Sequence, residues 1–349
     1  MISRSRVRDN LSAMAHAAGG PQRLRPHIKT HKMPQVISMK LDLGITRFKA
    51  ATIAEVEMAL RAGAADVMLA MQPVGIDAVR LAQLVLRFPT CRLSALIDDP
   101  GAARSLAAAA LECHTRVPVY IDVNVGLNRT GISCESARKL YHQASKIEGI
   151  VPVGIHAYDG HLRSFAPEEI DQAVDQAFAP VWRLLDDLEA DGFARPAVVG
   201  GGTASSISLA RHPDIEVSAG TIVFWDAMQN QRWPGSPFRC AAMLAARVIS
   251  HPRPDELCIN LGHKAVASEM PHPRVQWLGI DDAHATGHSE EHLTIRTRHR
   301  DEFPVGTLVL GIPMHVCPTI ALHDKVMVIE DARVVDHWDV VARSRHLSV

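Results

Sequence analysis

Short β-type runs alternate regularly with helix-type patterns through the first part of this 349-residue chain. Such alternation is typical of βα units, in which helices connect parallel strands. The β-type runs lie at residues 24–29, 47–51, 66–70, 92–97, 117–124, 151–158, 197–201 and 216–219. The helix-type patterns lie at residues 3–18, 52–62, 74–87, 100–112, 134–147 and 167–190. Eight parallel strands within about 230 residues predict an α/β fold, a (β/α)8 barrel of the TIM type.

The pattern changes near Pro234, where proline, histidine and short alternating runs replace the helical period. We therefore predict a barrel domain over residues 1–233 and a β-rich domain over residues 234–349. A doubly wound open sheet is the alternative for the first domain, but its glycine-rich turn usually follows the first strand. In this chain the glycine cluster follows the seventh run. The runs that predict strands in the second domain are 247–250, 257–261, 308–310 and 325–329.

Composition and charge exclude several classes of partner. Lys and Arg total 37 against 38 Asp and Glu, without a dense basic block, so we expect no binding to nucleic acid. The sequence contains no apolar run long enough for a membrane span and no signal-peptide core, so we expect a cytoplasmic protein without membrane association. The six cysteines form no Cys-x-x-Cys pair, which favours reduced thiols.

The end of the first predicted strand is unusually basic. It reads Arg-Pro-His-Ile-Lys-Thr-His-Lys over residues 25–32, and Pro26 disfavours a helix there. In an extended segment Lys29 and His27 lie on the same side. A lysine in the mouth of a barrel is partly desolvated, which lowers its pKa and favours Schiff-base chemistry. A basic loop without catalytic function is the alternative interpretation.

Glycine-containing loops follow the seventh and eighth predicted strands. The first loop reads Gly-Gly-Gly-Thr over residues 200–203, and the second reads Ser-Ala-Gly-Thr over residues 218–221. Glycines let backbone N–H groups approach a phosphate, and these two loops are the recurrent phosphate site of this barrel. Each loop alone could be only a tight turn, but their joint position favours a phosphate-bearing ligand.

Two further strand ends carry polar side chains. Arg129 follows the fifth predicted strand, and Tyr158 ends the sixth. The guanidinium suits an anionic oxygen, and the tyrosine offers a hydroxyl or an aromatic face. Both residues could equally be structural.

In the second domain, His315 and Cys317 lie two residues apart in the segment 313–319. If this segment is extended, both side chains lie on one face. An imidazole and a thiol so arranged suit Zn²⁺ or a similar ion. Two ligands do not complete a metal site, so a purely structural role is the alternative.

Taken together, these segments resemble the D-threonine aldolase and D-serine dehydratase-like family, which belongs to the alanine-racemase-type enzymes that use pyridoxal 5′-phosphate. The segment 25–32 is similar to the family's cofactor-lysine motif, which implies that Lys29 forms the Schiff base with the cofactor. The resemblance also implies that His315 and Cys317 bind a divalent metal ion, Zn²⁺ or Mn²⁺. The cofactor-binding positions that it implies are His27, Lys29, Arg129, Tyr158, Gly201, Gly202, Thr203, Gly220 and Thr221.

The remaining site residues depend on the same resemblance. In the aldolases a histidine is the proposed base for the substrate hydroxyl, and the aligned position here is Ser164, so we expect His161 to replace it. Family members also begin with an extra strand before the first helix, which this sequence does not predict. The residues that we expect near the substrate are His31, Asp226, Glu291 and His292.

The resemblance implies a lyase that acts on a small D-3-hydroxy amino acid and forms a homodimer. Our first hypothesis is a metal-dependent D-threonine aldolase, which cleaves its substrate to glycine and an aldehyde. The alternative is D-serine dehydratase-type elimination to a 2-oxo acid and ammonia, which Cys317 favours because His-x-Cys is typical of the zinc-dependent dehydratases. A racemase is disfavoured because the second domain has no tyrosine as partner base. A non-catalytic cofactor carrier is a further alternative, against which the second domain argues.

Overall fold

The computed structural model describes every residue from Met1 to Val349. The chain forms two units, each described separately below. The barrel unit comprises Met14–Lys29, Pro34–Gly220 and Ser344–Val349. The β unit comprises Met1–Ala13, Thr30–Met33 and Thr221–Arg343.

Helices and strands alternate up to Gly220 and strands predominate afterwards. The elements up to Gly220 are β1 (Ile2–Ser3), α1 (Arg4–Ala17), α2 (Pro34–Asp42), β2 (Arg47–Ala50), α3 (Ile53–Arg61), β3 (Asp66–Leu69), α4 (Ile76–Arg87), β4 (Arg92–Ile97), α5 (Pro100–Glu112), β5 (Val117–Val123), α6 (Cys134–Ala144), β6 (Ile150–Ala157), α7 (Ile170–Ala190), β7 (Ala197–Gly200), α8 (Ser206–Leu209) and β8 (Ile215–Val217). The later elements are α9 (Ala227–Arg232), β9 (Leu244–Ser250), β10 (Glu256–Ile259), β11 (Val275–Trp277), β12 (His284–His288), β13 (Leu293–Arg296), β14 (Leu308–Pro313), α10 (Val316–Ala321), β15 (Lys325–Glu330) and β16 (Arg333–Asp339).

The barrel unit contains one seven-stranded parallel sheet in the order β2 to β8. The segment 24–27 closes this sheet. Leu24 pairs with Val217 of β8, and His27 pairs with Lys49 of β2, each through an isolated parallel bridge. The segment therefore occupies the position of the predicted first strand, and the predicted α/β barrel architecture is confirmed.

The prediction of a continuous strand over residues 24–29 is wrong. Pro26 has no N–H to donate to a neighbouring strand, and the chain enters a 3-10 turn at Ile28–Thr30. The other predicted barrel strands agree with the structure to within two residues at each end. Short parallel strands that are buried on both faces read as apolar runs, which explains this agreement.

Side-chain caps define the starts of several barrel helices. Thr52 accepts a hydrogen bond from the Glu55 N–H at 3.2 Å and caps α3, while the Glu55 carboxylate accepts one from the Ala51 N–H at 2.6 Å. Asp99 caps α5 in the same manner.

Two helices of the barrel unit, α2 and α8, were not predicted from the sequence. None of the helices combines the length and the apolar character needed to cross a bilayer.

Arg25 is a buried cation in the closing segment and is only 1% exposed. Its Nε atom lies 2.6 Å from Glu216 Oε2 on β8, and its Nη1 atom lies 2.6 Å from Asp66 Oδ1 on β3. Burial opposes the charge, but Asp66 and Glu216 outweigh it and raise the pKa of Arg25. The backbone bridges at Leu24 and His27 are isolated, so the segment has few backbone contacts with the sheet. The ion pairs of Arg25 therefore help to hold the segment against β3 and β8.

The β unit contains two sheets. Six antiparallel strands follow the order β11-β14-β9-β10-β13-β12, and a three-stranded sheet follows the order β1-β15-β16. The predicted runs 247–250, 257–261, 308–310 and 325–329 coincide with β9, β10, β14 and β15. The strand β1 pairs in parallel with β15, so the expectation of no strand before the first helix is wrong. The apolar core of the larger sheet includes Val248, Leu257, Ile259, Val275, Trp277, Leu293, Ile295 and Val309.

The two units divide the chain at different positions from the predicted boundary at residues 233 and 234. Residues 221–233 lie in the β unit together with the first thirteen residues. Asn10 explains this grouping, because its side chain donates to Arg239 O and accepts from Arg239 N, both at 2.8 Å. The Ala241 N–H likewise donates to Phe224 O at 2.7 Å.

We predict that Arg25→Met lowers the free energy of unfolding by about 3–5 kcal/mol, because it leaves the poorly exposed carboxylate of Asp66 without its cation and that of Glu216 with Arg47 alone. Urea denaturation of the two proteins measures the difference. The control is Arg138→Met, which removes a surface ion pair with Asp191 and should cost far less, because water and salt screen exposed charges. Equal losses for the two variants would contradict the role of Arg25.

Candidate active site

Lys29 lies directly after the closing segment, in the 3-10 turn Ile28–Thr30. The expectation that Lys29 and His27 alternate along one side of a strand is therefore wrong. Instead, the Lys29 N–H donates a hydrogen bond to His27 Nδ1 at 3.3 Å, so the imidazole fixes the start of the turn. Because His27 pairs with Lys49 near the end of β2, Lys29 lies at the C-terminal edge of the sheet. Barrel active sites lie at this edge.

Three cationic side chains surround the ring of Tyr158. Lys29 Nζ, Lys49 Nζ and Arg129 Cζ lie 5.9, 5.6 and 4.9 Å from the ring centroid. Cations are attracted to the face of an aromatic ring. The structure therefore brings together the predicted residues Lys29, Arg129 and Tyr158, and adds Lys49. This concentration of positive charge suits an anionic ligand.

Lys49 is a site residue that sequence reasoning missed. It is 2% exposed, and its Nζ lies 2.5 Å from Ser218 Oγ and 3.5 Å from His156 Nε2. The other ring nitrogen of His156, Nδ1, lies 2.7 Å from Asp122 Oδ1. The available signal was a lysine within the short apolar run of β2, since lysine is almost never fully buried without a reason.

The electrostatics of this network follow from burial and from the hydrogen bond between His156 and Asp122. Burial, followed by the charge of Lys29, lowers the pKa of Lys49 to about 7. Burial lowers the pKa of His156, against the opposing effect of Asp122. Burial acts against the ionisation of Asp122, but His156 outweighs it and lowers the pKa of that carboxyl.

The glycine loop after β7 is held by a buried carboxyl group. The Gly202 N–H donates to Asp159 Oδ1 at 2.8 Å and to Ser205 Oγ at 3.1 Å. Asp159 Oδ2 is buried without a hydrogen-bond partner, and burial raises the pKa of this carboxyl. Gly201 has φ +87°, a conformation that favours glycine, so the loop can turn sharply there. Thr203 lies in the same loop, and its carbonyl accepts a hydrogen bond from the Ser206 hydroxyl.

Of the second predicted phosphate loop, Gly220 lies in the barrel unit and Thr221 lies in the β unit. Thr221 begins the 3-10 turn Thr221–Val223. Its hydroxyl lies 3.4 Å from Cys317 Sγ within the β unit. The structure therefore gives Thr221 a contact with the predicted metal ligand, which sequence reasoning did not expect.

His161, the predicted base, lies in the 3-10 turn Gly160–Ser164 of the barrel unit. Its Nδ1 atom is buried without a hydrogen-bond partner. The ring lies against Gly126, where an added Cβ would come within 2.7 Å of His161 Nε2. Ser164 is exposed, and its hydroxyl donates to His161 O at 2.8 Å. His161 thus has a nitrogen atom available for proton transfer, and Ser164 faces solvent.

His315 and Cys317 lie at the start of a helix, so the predicted extended segment is wrong. His315 is the N-cap residue of α10, and Cys317 lies in its first turn. Pro318 is compatible with this turn, because the N–H that it lacks has no partner there in a helix. The two side chains nevertheless hydrogen-bond to each other. The two side chains are thus neighbours by a helical rather than an extended geometry, and their binding of a metal ion stays a prediction.

Further polar groups hold this pair within the β unit. His315 Nδ1 lies 2.5 Å from Glu269 Oε1, and Cys317 Sγ lies 3.2 Å from the Thr30 hydroxyl. Burial opposes the charge of His315, but hydrogen bonds to Cys317 and Glu269 raise its pKa to about 9. Burial likewise opposes the thiolate, yet the hydrogen bond with His315 lowers the pKa of Cys317. No group of three or more His, Cys, Asp and Glu side chains is arranged to hold a metal ion.

Asp226, predicted near the substrate, is an anchor for the start of α10. Its Oδ1 accepts a hydrogen bond from the Gln229 N–H at 3.0 Å and caps α9. Its Oδ2 accepts one from the Val316 N–H at 3.1 Å. Burial raises the pKa of this carboxyl. Asp226 therefore holds the residue between His315 and Cys317.

The other residues predicted near the substrate lie in different parts of the β unit. His31 is fully buried, and its Nδ1 accepts a hydrogen bond from the Met33 N–H at 3.1 Å. Glu291 and His292 lie on the exposed turn between β12 and β13. Glu291 lies 3.9 Å from Lys264 Nζ in that region. Within the β unit, this turn is separate in sequence from the segment that carries His315 and Cys317.

Comparison with known proteins identifies similarity along nearly the whole chain. Residues 2–227 match the family of the alanine racemase N-terminal domain, and residues 241–329 match a family of serine dehydratase domains. A D-threonine aldolase of Arthrobacter sp. is 28% identical over 341 residues, which cover 96% of this chain and 89% of that protein. The D-threo-3-hydroxyaspartate dehydratase of Delftia sp. is 25% identical over 353 residues, covering 91% and 90%.

A solved structure shows the same architecture. The crystal structure of D-threonine aldolase from Filomicrobium marinum superposes with a TM-score of 0.91 at 25% identity. The superposition covers 99% of this chain and 94% of that protein. Each of the two units therefore has the same fold as the corresponding part of that protein.

We predict that Asp226→Asn lowers the free energy of unfolding by about 1–3 kcal/mol. Both carboxylate oxygens of Asp226 accept hydrogen bonds from backbone N–H groups. The amide of asparagine has only one oxygen, and its NH2 group would face the other N–H, so one hydrogen bond is lost. Chemical denaturation measures the effect. The control is Asp99→Asn, because Asp99 is exposed, accepts one capping bond, and Asn caps helices equally well. If Asp226 served the substrate alone, both variants would be as stable as the parent protein.

Proposed function

Because the chain belongs to the family of the alanine racemase N-terminal domain, we propose that it is a pyridoxal-phosphate-dependent lyase for D-3-hydroxy amino acids. The specific proposal is a D-threonine aldolase-type cleavage to glycine and an aldehyde. The observation that carries it is the cluster of Lys29, Arg129 and Tyr158 in a chain similar throughout to a D-threonine aldolase. The family predicted from the sequence motifs is confirmed by this membership.

The side chains of the barrel site fit pyridoxal phosphate in their chemistry. Lys29 supplies the primary amine that would hold the carbonyl carbon of the cofactor. Arg129 and Lys49 supply positive charge for its anionic groups, and Tyr158 supplies an aromatic face. When bound, the cofactor stabilises negative charge at Cα of an amino acid. His27 positions the backbone of Lys29.

We assign the phosphate group to the glycine loops predicted from the sequence. The sharp turn at Gly201 supports this assignment, because glycines let backbone N–H groups approach a phosphate closely. Backbone N–H groups of this kind are typical phosphate ligands. The residues assigned to this role are Gly201, Gly202, Thr203, Gly220 and Thr221.

We propose that His315 and Cys317 bind a divalent metal ion, Zn²⁺ or Mn²⁺. An imidazole and a thiolate are suitable donors for such an ion. Support comes from Glu269, because a carboxylate on the other ring nitrogen is typical of metal-bound histidine. A metal ion on the substrate's β-hydroxyl would lower the pKa of that group. His161 would then accept the hydroxyl proton, and its unpartnered Nδ1 atom supports this role.

The second candidate activity is dehydration of the same class of substrate. It is favoured by Cys317, whose His-x-Cys arrangement is typical of the dehydratases, and by the similarity to the Delftia dehydratase. In that reaction the Lys29 amine would remove the Cα proton and the β-hydroxyl would leave. We propose cleavage as the first activity, and the greater similarity of the chain to the aldolase supports this order. For either activity we propose a homodimer, as the family resemblance implies, and sedimentation equilibrium measures its mass.

We predict that the protein, incubated with pyridoxal phosphate and Zn²⁺ or Mn²⁺, releases glycine and acetaldehyde from D-threonine. Product analysis by chromatography measures this, with D-serine assayed in parallel. The control is Lys29→Ala, which should form no product and should lack the visible absorbance of the protein-bound cofactor. Pyruvate and ammonia from D-serine, without glycine from D-threonine, would replace the aldolase by the dehydratase.

We predict that His315→Ala lowers kcat by about 100-fold or more while the visible absorbance of the bound cofactor is kept, because only the metal ligand is lost. The matched control is His299→Ala, which removes an exposed histidine paired with Glu302 and should leave kcat unchanged. Full activity of the parent protein after exhaustive treatment with a chelator would remove the metal ion from the proposed function.

A further inference from the structure

Lys49 is a buried amine whose direct partners are neutral. Its Nζ contacts the hydroxyl of Ser218 at 2.5 Å and the Nε2 atom of His156 at 3.5 Å. The nearest carboxylate in this chain of contacts, Asp122, is bound to the far side of His156. Burying a charged amine without a carboxylate in contact is costly, so the neutral form is favoured.

The charges around Lys49 act in the same direction as burial. Lys29 and Arg129 share with it the ring of Tyr158 and disfavour a further positive charge. Together with burial they lower the pKa of Lys49 to about 7, although Asp159 and Asp122 oppose them. The titratable and charged groups that face Lys49 are Lys29, Asp122, Arg129, His156, Tyr158 and Asp159, with His27 beside it across the β-bridge.

An anion in this site would reverse the balance. Negative charge beside Lys29 and Arg129 cancels their repulsion of Lys49, and it stabilises a protonated Lys49 directly. Since Lys49 is already close to half-protonated near neutral pH, a modest change in potential is enough to change its charge. A surface lysine, which is fully protonated at neutral pH, could not respond in this way.

We propose that Lys49 is a proton-coupled charge partner for the anionic cofactor: above neutral pH it is largely uncharged in the cofactor-free protein and takes up one proton when the cofactor enters. This inference rests on the proposed function, because it requires that the barrel site binds pyridoxal phosphate. The proton comes from the solvent, and no covalent bond to Lys49 is made or broken. Lys49 is in this sense a positioning and charge-balancing residue.

Proton uptake has a consequence for affinity with a definite sign. At a pH where Lys49 is already protonated in the free protein, binding takes up no proton, and the contribution of Lys49 to the affinity does not change with pH. At higher pH each binding event takes up a proton, and the affinity falls with pH, by up to tenfold per pH unit at full uptake. The affinity should therefore decrease from about pH 7 upward.

The test uses pyridoxine 5′-phosphate, an analogue in which an alcohol replaces the aldehyde, so that Lys29 cannot form a bond to it. The full-length protein is freed of cofactor, and binding is measured by isothermal calorimetry at pH 7.5 to 8.5 in two buffers of different ionisation enthalpy. The phosphate is largely a dianion in this range. On binding the analogue, the parent protein should take up as much as one proton more than Lys49→Met does. Its dissociation constant should also depend more steeply on pH than that of the variant.

Two further variants make the result specific. Lys49→Arg keeps a permanent charge, so it should bind the analogue without the extra proton uptake. Lys40→Met is the matched control, because Lys40 is also a fully buried lysine whose pKa burial lowers to about 7, but it lies on α2. Lys40→Met should keep the proton uptake of the parent protein.

Uptake in Lys49→Met or Lys49→Arg that equals that of the parent protein would overturn the inference and leave the proposed function standing. If Lys49→Met fails to fold, Lys49→Arg decides alone. Failure of the parent protein to bind the analogue would overturn both the inference and the assignment of the cofactor. Loss of uptake in both Lys49 variants, with uptake kept in Lys40→Met, would support the inference.

Discussion

Closure of the barrel sheet by the segment 24–27 is the constraint on which the candidate site depends. The segment contributes one bridge at each end, to β8 through Leu24 and to β2 through His27. Such sparse pairing alone would hold it weakly, and the buried ion pairs of Arg25 supply an attachment that the backbone does not. Because the chain turns directly after His27, Lys29 is held at the edge of the sheet where the other strands also end.

The barrel buries two kinds of cation, and their surroundings separate structure from function. Arg25 contacts the carboxylates of Asp66 and Glu216 and stays charged under all ordinary conditions. Lys49 contacts a hydroxyl and an imidazole, and burial lowers its pKa to about 7. A group with contact counter-charges cannot easily change its protonation, whereas a group without them can. This difference points to a structural role for Arg25 and agrees with the role that we propose for Lys49.

Within the β unit, the candidate metal ligands are held by residues that are far apart in the chain. Asp226 binds the backbone between His315 and Cys317, and the hydroxyls of Thr30 and Thr221 contact the sulfur atom. All three contacts come from residues or segments that the sequence had suggested for other roles. The two candidate ligands thus contact partners that only the fold brings to them.

The sequence by itself determined the alternation of strands and helices and indicated Lys29 as the candidate cofactor lysine, because both depend on neighbours within a few residues. Tertiary structure decided the burial and the partners of Lys49 and Asp226 and the helical start at His315. Their partners come from distant strands and turns, and burial and hydrogen bonding depend on the whole fold. A local pattern shows the hydrophobic period of a helix or strand. It does not show which charged side chains from other elements will contact that helix or strand in the fold.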